Sequence, residues 1–421
     1  MPGILHRLPN RCPDAPMTHT PTRPPEANSA PPAQSARLTS LDTFRGVIMV
    51  LMASAGLGFA KIAENFPGSA VWRVLGYQTD HAEWAGCTLW DLIQPAFMFM
   101  VGIALPWSVA NRQAKGESFA RMLGHAIWRA VLLIVLAIVL SSTWSKHTEW
   151  GFNSVLAQIG LGYPILFLLA FTGPRLPWIV ALAILGADWL AFALFPLPPA
   201  NFDWSSVGVP ADWKFLTGFA AHWEKNANFA SWFDTWFLNL FPRDEAFHYS
   251  KGGYQTLNFI PSLATMIFGL IAGRLLRSDL AMTEKLKRLV VAGLAGIVIG
   301  WLLGYAGVCP IVKRIWTPSF AFFSTGWVTL MLAGFVAVVD WSGYKRWTYP
   351  FVVVGLNPIT LYCLWQVSGG FIRDQFKIHL GREFFSSLGP VWVPMLERGS
   401  VLLVLWLIVW WMYRRKIFLR L

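Results

Sequence analysis

Continuous apolar runs, many of them about twenty residues long, dominate this sequence and leave few folds open to it. Lipid cannot satisfy exposed backbone N–H and C=O groups, so a membrane-spanning chain forms helices or a closed barrel. Runs that are continuous rather than alternating select helices. Only 13% of the 421 residues are charged, whereas soluble domains carry roughly a quarter. We therefore expect an all-α, polytopic transmembrane helix bundle.

About ten spans are expected, and an eleventh if one of two shorter apolar patches, 229–241 or 384–396, also crosses the membrane. The ten predicted spans are 44–60, 91–110, 123–143, 153–172, 176–196, 258–276, 289–307, 318–339, 349–368 and 398–414.

Residues 1–37 are rich in Pro, Ala, Ser and Thr and lack a long apolar run. This composition predicts a disordered cytoplasmic tail rather than a signal peptide, and either Met1 or Met17 can serve as the start. Residues 38–421 then form the transmembrane domain. Its two long loops on the outer side are expected at 197–257 and 369–397.

Lys and Arg are distributed unevenly between the two sets of short loops. One set, which includes Arg274, Lys285 and Arg288, is richer than the set with Lys61 and Lys146. The richer side is expected to be cytoplasmic and to hold both termini. The net charge of +12 is then explained by orientation signals and anionic lipid headgroups, and no nucleic-acid partner is expected.

Residues 80–91 lie between two predicted spans, at a membrane surface. Four titratable side chains, Asp80, His81, Glu83 and Asp91, are concentrated there in a chain that has few such groups. Ionisable groups near a membrane are costly and are usually kept for a function, and histidine suits proton transfer near neutral pH. The alternative is an interfacial loop of ordinary polar residues with Trp84 as its anchor.

Two further polar groups lie at predicted span ends. Asp42 and Arg45 are three residues apart on one helical face, so they can form a pair. Arg45 can instead hold a phosphate, and Asp42 can cap the helix. Tyr254, Gln255 and Asn258 precede the sixth span, where a helix N-terminus favours an anion or a developing oxyanion. Simple capping explains these three residues as well.

Asn357 and Pro358 lie in the middle of the ninth predicted span. The proline frees a backbone carbonyl, so Asn357 either binds a ligand or satisfies that carbonyl. The four cysteines have no metal-site spacing, so no metal is expected. A bridge between Cys87 and Cys309 is one option, and free apolar thiols are the other.

Several of these segments together resemble the heparan-α-glucosaminide N-acetyltransferase family. The segments that carry the resemblance are 40–46, 81–88, 91–95 with 97–102, 155–160, 254–273 and Asn357. The sequence departs from the family pattern at two places. An asparagine near the outer end of the first span is replaced by the run 53–56, and an arginine of the fourth-span motif is replaced by Gln158.

The resemblance implies transfer of an acetyl group from cytosolic acetyl-CoA, across the membrane, to the amine of glucosamine or a related amino sugar or glycan. It implies an integral protein of the bacterial inner membrane, and it leaves a homodimer open. His81 matches the active histidine, acting as general base or as acetyl carrier. The other expected site residues are Asp91 and Glu83 for catalysis, Arg45, Asp42 and Asn357 for acetyl-CoA, and Trp84, Tyr254, Gln255 and Asn258 for the acceptor.

Two other functions are compatible with the sequence. A transporter with its substrate at the midplane would use Asn357, Gln158 and Asp188, although no pair of broken helices is evident. An O-acyltransferase of an envelope glycan would share the acyl chemistry and differ in its acceptor pocket.

Overall fold

The computed structural model describes residues 38–419, and the regular secondary structure of this part of the chain is helical. In chain order the α-helices are α1 Thr39–Ala53, α2 Phe59–Ala63, α3 Ala70–Gln78, α4 Ile93–Ala114, α5 Phe119–Ser142, α6 Val155–Leu169, α7 Arg175–Ala193, α8 Phe229–Phe237, α9 Phe259–Arg277, α10 Met282–Tyr305, α11 Pro318–Phe335, α12 Tyr349–Gly355, α13 Pro358–Leu380 and α14 Val393–Arg414. Strand pairing within residues 38–419 is limited to one isolated bridge, Ala85–Val312. The predicted all-α bundle is confirmed, and the predicted tail 1–37 lies outside the described residues.

Seven helical segments are long and apolar enough to cross a membrane, and two bent pairs raise this number to as many as nine within the described residues. The bent pairs are α1 with the segment Ala55–Ala63, and α12 with α13. The expected span 153–172 corresponds to α6, which has 15 residues. At about 1.5 Å per residue α6 is roughly 22 Å long, shorter than a hydrocarbon core of roughly 30 Å. Every expected span therefore has a helix, and the total of ten crossings stays a prediction.

Neither apolar patch supplies an eleventh crossing. Residues 229–241 form the nine-residue helix α8 and a short 3-10 turn. The patch 384–396 holds two short 3-10 helices and the first turn of α14.

The predicted loop 369–397 is wrong at both ends, because α13 continues to Leu380 and α14 begins at Val393. Hydropathy falls after residue 368, but the helix continues to Leu380 as a more polar extension. Lys377 pairs with Glu397 over 2.6 Å, and the ring of Phe376 stacks on that of Phe384. The predicted loop 197–257 is itself folded, with α8 and several short 3-10 helices.

The centre of the bundle is formed by α4 and α9, each 72% buried in its most apolar stretch, whereas α10 and α14 are 17% and 11% buried and face outwards. Small residues allow the two central helices to approach closely. A Cβ atom on Gly102 would overlap the backbone oxygen of Met266, and one on Gly269 would overlap that of Phe99. These glycines thus fix the axis around which the other helices pack.

The bundle has two distinguishable ends, here called the His81 end and the Arg45 end. At the His81 end, the amide of Asn153, just before α6, donates to the carbonyl of Tyr254, just before α9. At the Arg45 end, Arg274 donates to the carbonyls of Leu169, Ala170 and Thr172 and so caps the C-terminus of α6. Helices α6 and α9 therefore run in the same direction, from the His81 end to the Arg45 end.

Two breaks interrupt the spans. After α1, residues Ala55–Gly58 all have positive φ, between +46° and +70°, a conformation that is costly for Ala and Leu. Arg398 of α14 donates to the carbonyl of Ala55 over 2.6 Å and helps to hold this turn. The second break, of 81°, lies between α12 and α13 at Asn357, where proline prevents a continuous helix.

Candidate functional site

Asp91 is the buried carboxylate around which the candidate site is organised. It lies in a short 3-10 helix, Trp90–Leu92, and its side chain is only 2% exposed. Its Oδ2 accepts hydrogen bonds from the backbone N–H groups of Ala82 and Thr88, each over 3.1 Å. Backbone donors of this kind favour the ionised carboxylate. The loop between α3 and this helix is therefore folded around a buried negative charge.

His81 lies on that loop and contacts the other oxygen of the same carboxylate. Its Nδ1 is 2.7 Å from Asp91 Oδ1, and its side chain is 34% exposed. A carboxylate accepts but cannot donate, so Nδ1 carries the proton in this contact and the Nε2 lone pair is left available. Within residues 38–419 no side chain or backbone group hydrogen-bonds to Nε2. The structure thus selects Asp91, not Asp80 or Glu83, as the group that orients the ring.

His81 lines a cleft of about 590 Å³ at the His81 end. The other ionisable side chains that line the cleft are Glu64, Arg73, Tyr77, Asp80 and Glu83. Asp80 accepts the backbone N–H of His81 over 2.7 Å, whereas Glu83 is exposed. Glu83 and Asp80 therefore belong to the cleft wall and do not contact the imidazole.

Lys313 is the residue of the site that the sequence reasoning missed. Its Nζ lies 3.2 Å from His81 Nδ1 and 3.4 Å from Asp91 Oδ1, with 8% of the side chain exposed. Burial lowers the pKa of Lys313, and the charge of Asp91 opposes that effect. By sequence, Lys313 is only one of the few basic residues in the less basic set of short loops. Its one local signal is a position in the apolar stretch from Pro310 to Trp316.

The turn that carries Lys313 is closed by its own backbone. The N–H of Trp316 donates to the carbonyl of Lys313 over 2.9 Å, and the N–H of Val312 donates to the hydroxyl of Thr317 over 3.0 Å. Trp316 has φ +48° and is fully buried. Because a left-handed tryptophan is rare, the surrounding packing must hold this conformation in place.

Tyr254 and Arg314 extend the site behind Lys313. The Tyr254 ring centroid is 6.0 Å from Lys313 Nζ and 5.5 Å from the Arg314 guanidinium, within cation–π range. Burial raises the pKa of the Tyr254 phenol. Arg314 also donates to the carbonyl of Gly252 over 2.7 Å. Tyr254 is therefore brought close to the pair of His81 and Asp91 through Lys313.

Gln255 and Asn258 are buried beside these residues. The amide of Asn258 donates to the carbonyl of Arg314 over 2.7 Å, and that of Gln255 donates to Asn226 over 3.4 Å. Gln255 Oε1, Asn258 Oδ1 and Arg314 Nε have no hydrogen-bond partner among the described residues. Asn258 is the residue before α9, and its side chain does not cap that helix.

The side chains of Trp84 and Asn357 form hydrogen bonds with the protein backbone. Trp84 is 4% exposed, and its indole N–H donates to the carbonyl of Trp223 over 3.1 Å. The fully buried Asn357 donates to the carbonyl of Ile417 and accepts the N–H of Leu419. Both side chains therefore contact protein groups at each polar atom that they present.

Asp42 and Arg45 lie at the Arg45 end and are not brought near His81. Arg45 Nη1 is 3.4 Å from Asp42 Oδ1, the pairing that their spacing predicts, and 3.3 Å from the carbonyl of Gly355. The residue that precedes α1 is Leu38, so Asp42 lies inside the helix and is not its cap. The Arg45 side chain remains 23% exposed.

Gln158 and the two cysteines, which the sequence also singled out, are accounted for within the fold, whereas Asp188 Oδ2 is buried with no hydrogen-bond partner among the described residues. Gln158 accepts from Gln94 over 3.2 Å and donates to the carbonyl of Asn153 over 2.8 Å. Cys87 and Cys309 are free thiols, so the bridge considered for them is not formed.

Comparison with known proteins supports relatedness at the level of a family. Residues 37–186 match the family described as Domain of unknown function (DUF5009). The heparan-alpha-glucosaminide N-acetyltransferase of Homo sapiens is 25% identical over 427 residues, which is 91% of this chain and 59% of the relative. The Mus musculus protein of the same name is 25% identical over 425 residues, 91% and 60% of the two chains. The chain thus spans about three fifths of the length of these curated relatives.

Proposed function

We propose that this chain is a multi-pass membrane acetyltransferase that takes acetyl from cytosolic acetyl-CoA and delivers it to the amine of glucosamine or a related amino sugar. The observation that carries the proposal is the contact of His81 Nδ1 with Asp91, which leaves Nε2 available beside an open cleft. The names of the two relatives support acetyl transfer as the reaction class. A bacterial inner membrane, with the His81 end outside, is the location proposed.

His81 can act as a general base. Nε2 takes a proton from the acceptor amine while the amine nitrogen attacks the thioester carbonyl carbon. The C–S bond then breaks, and the imidazolium returns its proton to the departing thiolate. Asp91 stabilises the imidazolium that exists between these two proton transfers, as the carboxylate does in a Ser-His-Asp triad.

His81 can also act as a nucleophile. Nε2 then attacks the carbonyl carbon itself, the C–S bond breaks, and the departing thiolate takes up a proton from water. The amine next attacks the acetyl-imidazole, the N–C bond to His81 breaks, and the amine nitrogen gives a proton to the freed Nε2, which passes it to water. Acetyl-labelled protein after incubation with labelled acetyl-CoA alone, absent in His81→Ala, would favour this route.

Donor binding is assigned to the Arg45 end. An arginine guanidinium matches the geometry of phosphate oxygens, and the Arg45 side chain is exposed enough to be reached. Asp42 would orient that guanidinium through the contact already described. The two reacting ends then lie apart, so the pantetheine arm must extend between helices towards His81. Asn357 would act indirectly, by fixing the bend after α12, whose last residue is bonded to Arg45.

The acceptor is assigned to the cleft. The carboxylates of Glu64, Asp80 and Glu83 line it, and they suit a ligand with an ammonium group and several hydroxyls. Tyr254, Gln255 and Asn258 are proposed to complete the acceptor side from behind Lys313. Trp84 would contribute by holding the cleft loop against Trp223.

The direct test is release of free CoA by the purified protein, with acetyl-CoA and a panel of amino sugars. Acceptor-dependent release is expected, and His81→Ala should lower it by at least about 100-fold, the lower bound for a lost acid–base group. His379→Ala is the matched control, since His379 is exposed and, among residues 38–419, its side chain bonds to Gln375 alone. Wild-type turnover by His81→Ala would remove the assignment.

The donor site has its own test. Arg45→Gln should raise KM for acetyl-CoA several-fold and change kcat little, because uniform binding energy is lost. Arg288→Gln removes a comparable cation on the surface of α10, which pairs with Glu284 over 2.7 Å. An unchanged KM in Arg45→Gln would place the phosphates elsewhere.

A further inference from the structure

We propose that Lys313 is a positioning residue that keeps the His81 imidazole unprotonated at Nε2 by sharing the negative charge of Asp91. The inference rests on the proposed function in taking His81 as the reacting group. It adds a third member to the pair and assigns it an electrostatic role.

Three atoms define the arrangement. His81 Nδ1 and Lys313 Nζ both approach Asp91 Oδ1, at 2.7 Å and 3.4 Å, and they lie 3.2 Å from each other. One carboxylate oxygen therefore faces two nitrogen donors. If the imidazole were also protonated at Nε2, two cations would lie 3.2 Å apart with a single anion between them.

The charge balance around Asp91 explains how Lys313 affects catalysis by His81. A buried carboxylate with a histidine as its single partner favours the imidazolium, and a protonated Nε2 can neither accept a proton nor attack a carbonyl. The ammonium of Lys313 neutralises Asp91, so the pair of Asp91 and Lys313 carries no net charge. The imidazole then gains less from being protonated, so the lone pair of Nε2 is kept for the reaction.

Other charged and titratable groups around His81 differ from Lys313 in distance or exposure. The loop of His81 carries Asp80, Glu83 and Cys87, helices α2 and α3 supply Glu64, Arg73 and Tyr77, and the elements behind Lys313 supply Tyr254 and Arg314. Those that line the open cleft are screened by water and salt. Among the described residues, Lys313 alone brings a buried ammonium within hydrogen-bond distance of the imidazole.

The backbone that carries Lys313 is held in place by the fold. The N–H of Gly86 donates to the carbonyl of Ile311 over 2.8 Å, next to the bridge between Ala85 and Val312. The loop of His81 and the turn of Lys313 are therefore joined through their backbones. A lysine on a free loop would lose this geometry to side-chain entropy.

The test is the pH dependence of His81 carbethoxylation by diethyl pyrocarbonate, which modifies only the unprotonated imidazole. The modified peptide is quantified by mass spectrometry for the wild type, Lys313→Met, Lys313→Arg and the surface control Lys377→Met. The midpoint should rise by about 1–3 pH units in Lys313→Met, the usual effect of one nearby charge. Lys313→Arg and Lys377→Met should stay near the wild-type midpoint.

An unchanged midpoint in Lys313→Met, or an equal rise in Lys313→Arg, would overturn the proposal. Lys313→Gln takes the place of the Met variant if that protein does not insert, with the same expectation. The reagent needs no acetyl transfer, so the result is separate from the proposed function. If the midpoint rises in Lys313→Met but the wild type never releases CoA, the role of Lys313 is supported and the transferase is refuted. If the wild type releases CoA but the midpoint in Lys313→Met is unchanged, the transferase is supported and the role of Lys313 is refuted.

Discussion

The backbone N–H of Gly86 donates to the carbonyl of Ile311 over 2.8 Å, and this bond joins the two halves of the candidate site. His81 and Lys313 are 232 positions apart in the chain, yet their side chains contact the same carboxylate. Two backbone segments that are far apart in the chain thus hold their side chains against one buried carboxylate. Changes to Asp91, or to either stretch, should therefore alter the same chemistry.

Replacing Asp91 by asparagine should lower kcat/KM for acetyl transfer by about 10³–10⁴-fold, since the amide no longer fixes the tautomer with an open Nε2. Asp80→Asn and Glu83→Gln should keep kcat within a few-fold of the wild type, because neither side chain contacts the ring, and their loss from the cleft should raise the KM for the acceptor instead. CoA release measures all three variants. Equal losses in Asp91→Asn and Glu83→Gln would contradict the assignment of Asp91.

Cys87→Ala should retain acetyl transfer, although Cys87 is close to the reacting groups. Burial, and after it the charge of Asp91, raises the pKa of the Cys87 thiol far above its usual range, so little thiolate is present to carry an acetyl group. Labelled acetyl trapped on the wild type should persist on the Cys87→Ala protein. Its disappearance from that variant, with His81 intact, would make the thiol the carrier.

Asp234 should make stability fall as pH rises. Burial raises the pKa of Asp234 from 3.8 to about 6, while the bond from the Thr256 N–H opposes that rise. The folded state thus favours the protonated carboxyl. The resulting stabilisation is complete below about pH 4 and is lost as pH increases through about 6, a change worth about 3 kcal/mol.

Asp234→Asn should remove this pH-dependent part of the free energy of unfolding. Thermal unfolding in detergent is compared at pH 5 and pH 7.5 for the two proteins. We expect the wild type to lose more stability than the variant between these pH values. Parallel pH dependences would mean that the Asp234 carboxyl stays ionised in the fold.

Gly102→Ala should destabilise the bundle by about 1–3 kcal/mol, because the new methyl group overlaps the backbone oxygen of Met266 and the helices α4 and α9 must separate. Gly186→Ala is the matched control in α7, where nothing lies within 4 Å of the added atom. It should be neutral or slightly stabilising. Thermal unfolding of both variants checks this, and equal stability would refute the close packing at Gly102.

Local patterns predicted most of the helices. Continuous apolar runs placed α4, α9 and α11 within a few residues, because a membrane span needs only length and hydropathy. The pairing of Asp42 with Arg45 followed from helical spacing. The extension of α13 beyond residue 368 was missed, since its more polar half is stabilised by Glu397 and Phe384, which lie beyond the helix itself.

The candidate site was predictable only in part. His81 and Asp91 are close in sequence, so a shared loop was a natural expectation. The choice of Asp91 over Glu83 depended on which carboxyl the loop encloses, which no spacing reveals. Lys313 contacts them through a turn that tertiary packing alone brings close. Its role depends on its distance from His81 and Asp91 in the folded structure, which sequence periodicity does not reveal.

The two hydrogen bonds between the Asn357 side chain and residues 417 and 419 imply an order of events during synthesis. Its amide partners, Ile417 and Leu419, are 60 and 62 residues further along the chain. The ribosome makes α12 and α13 before either partner exists, so the side chain of Asn357 can form these two bonds only after residues 417 and 419 have been synthesised.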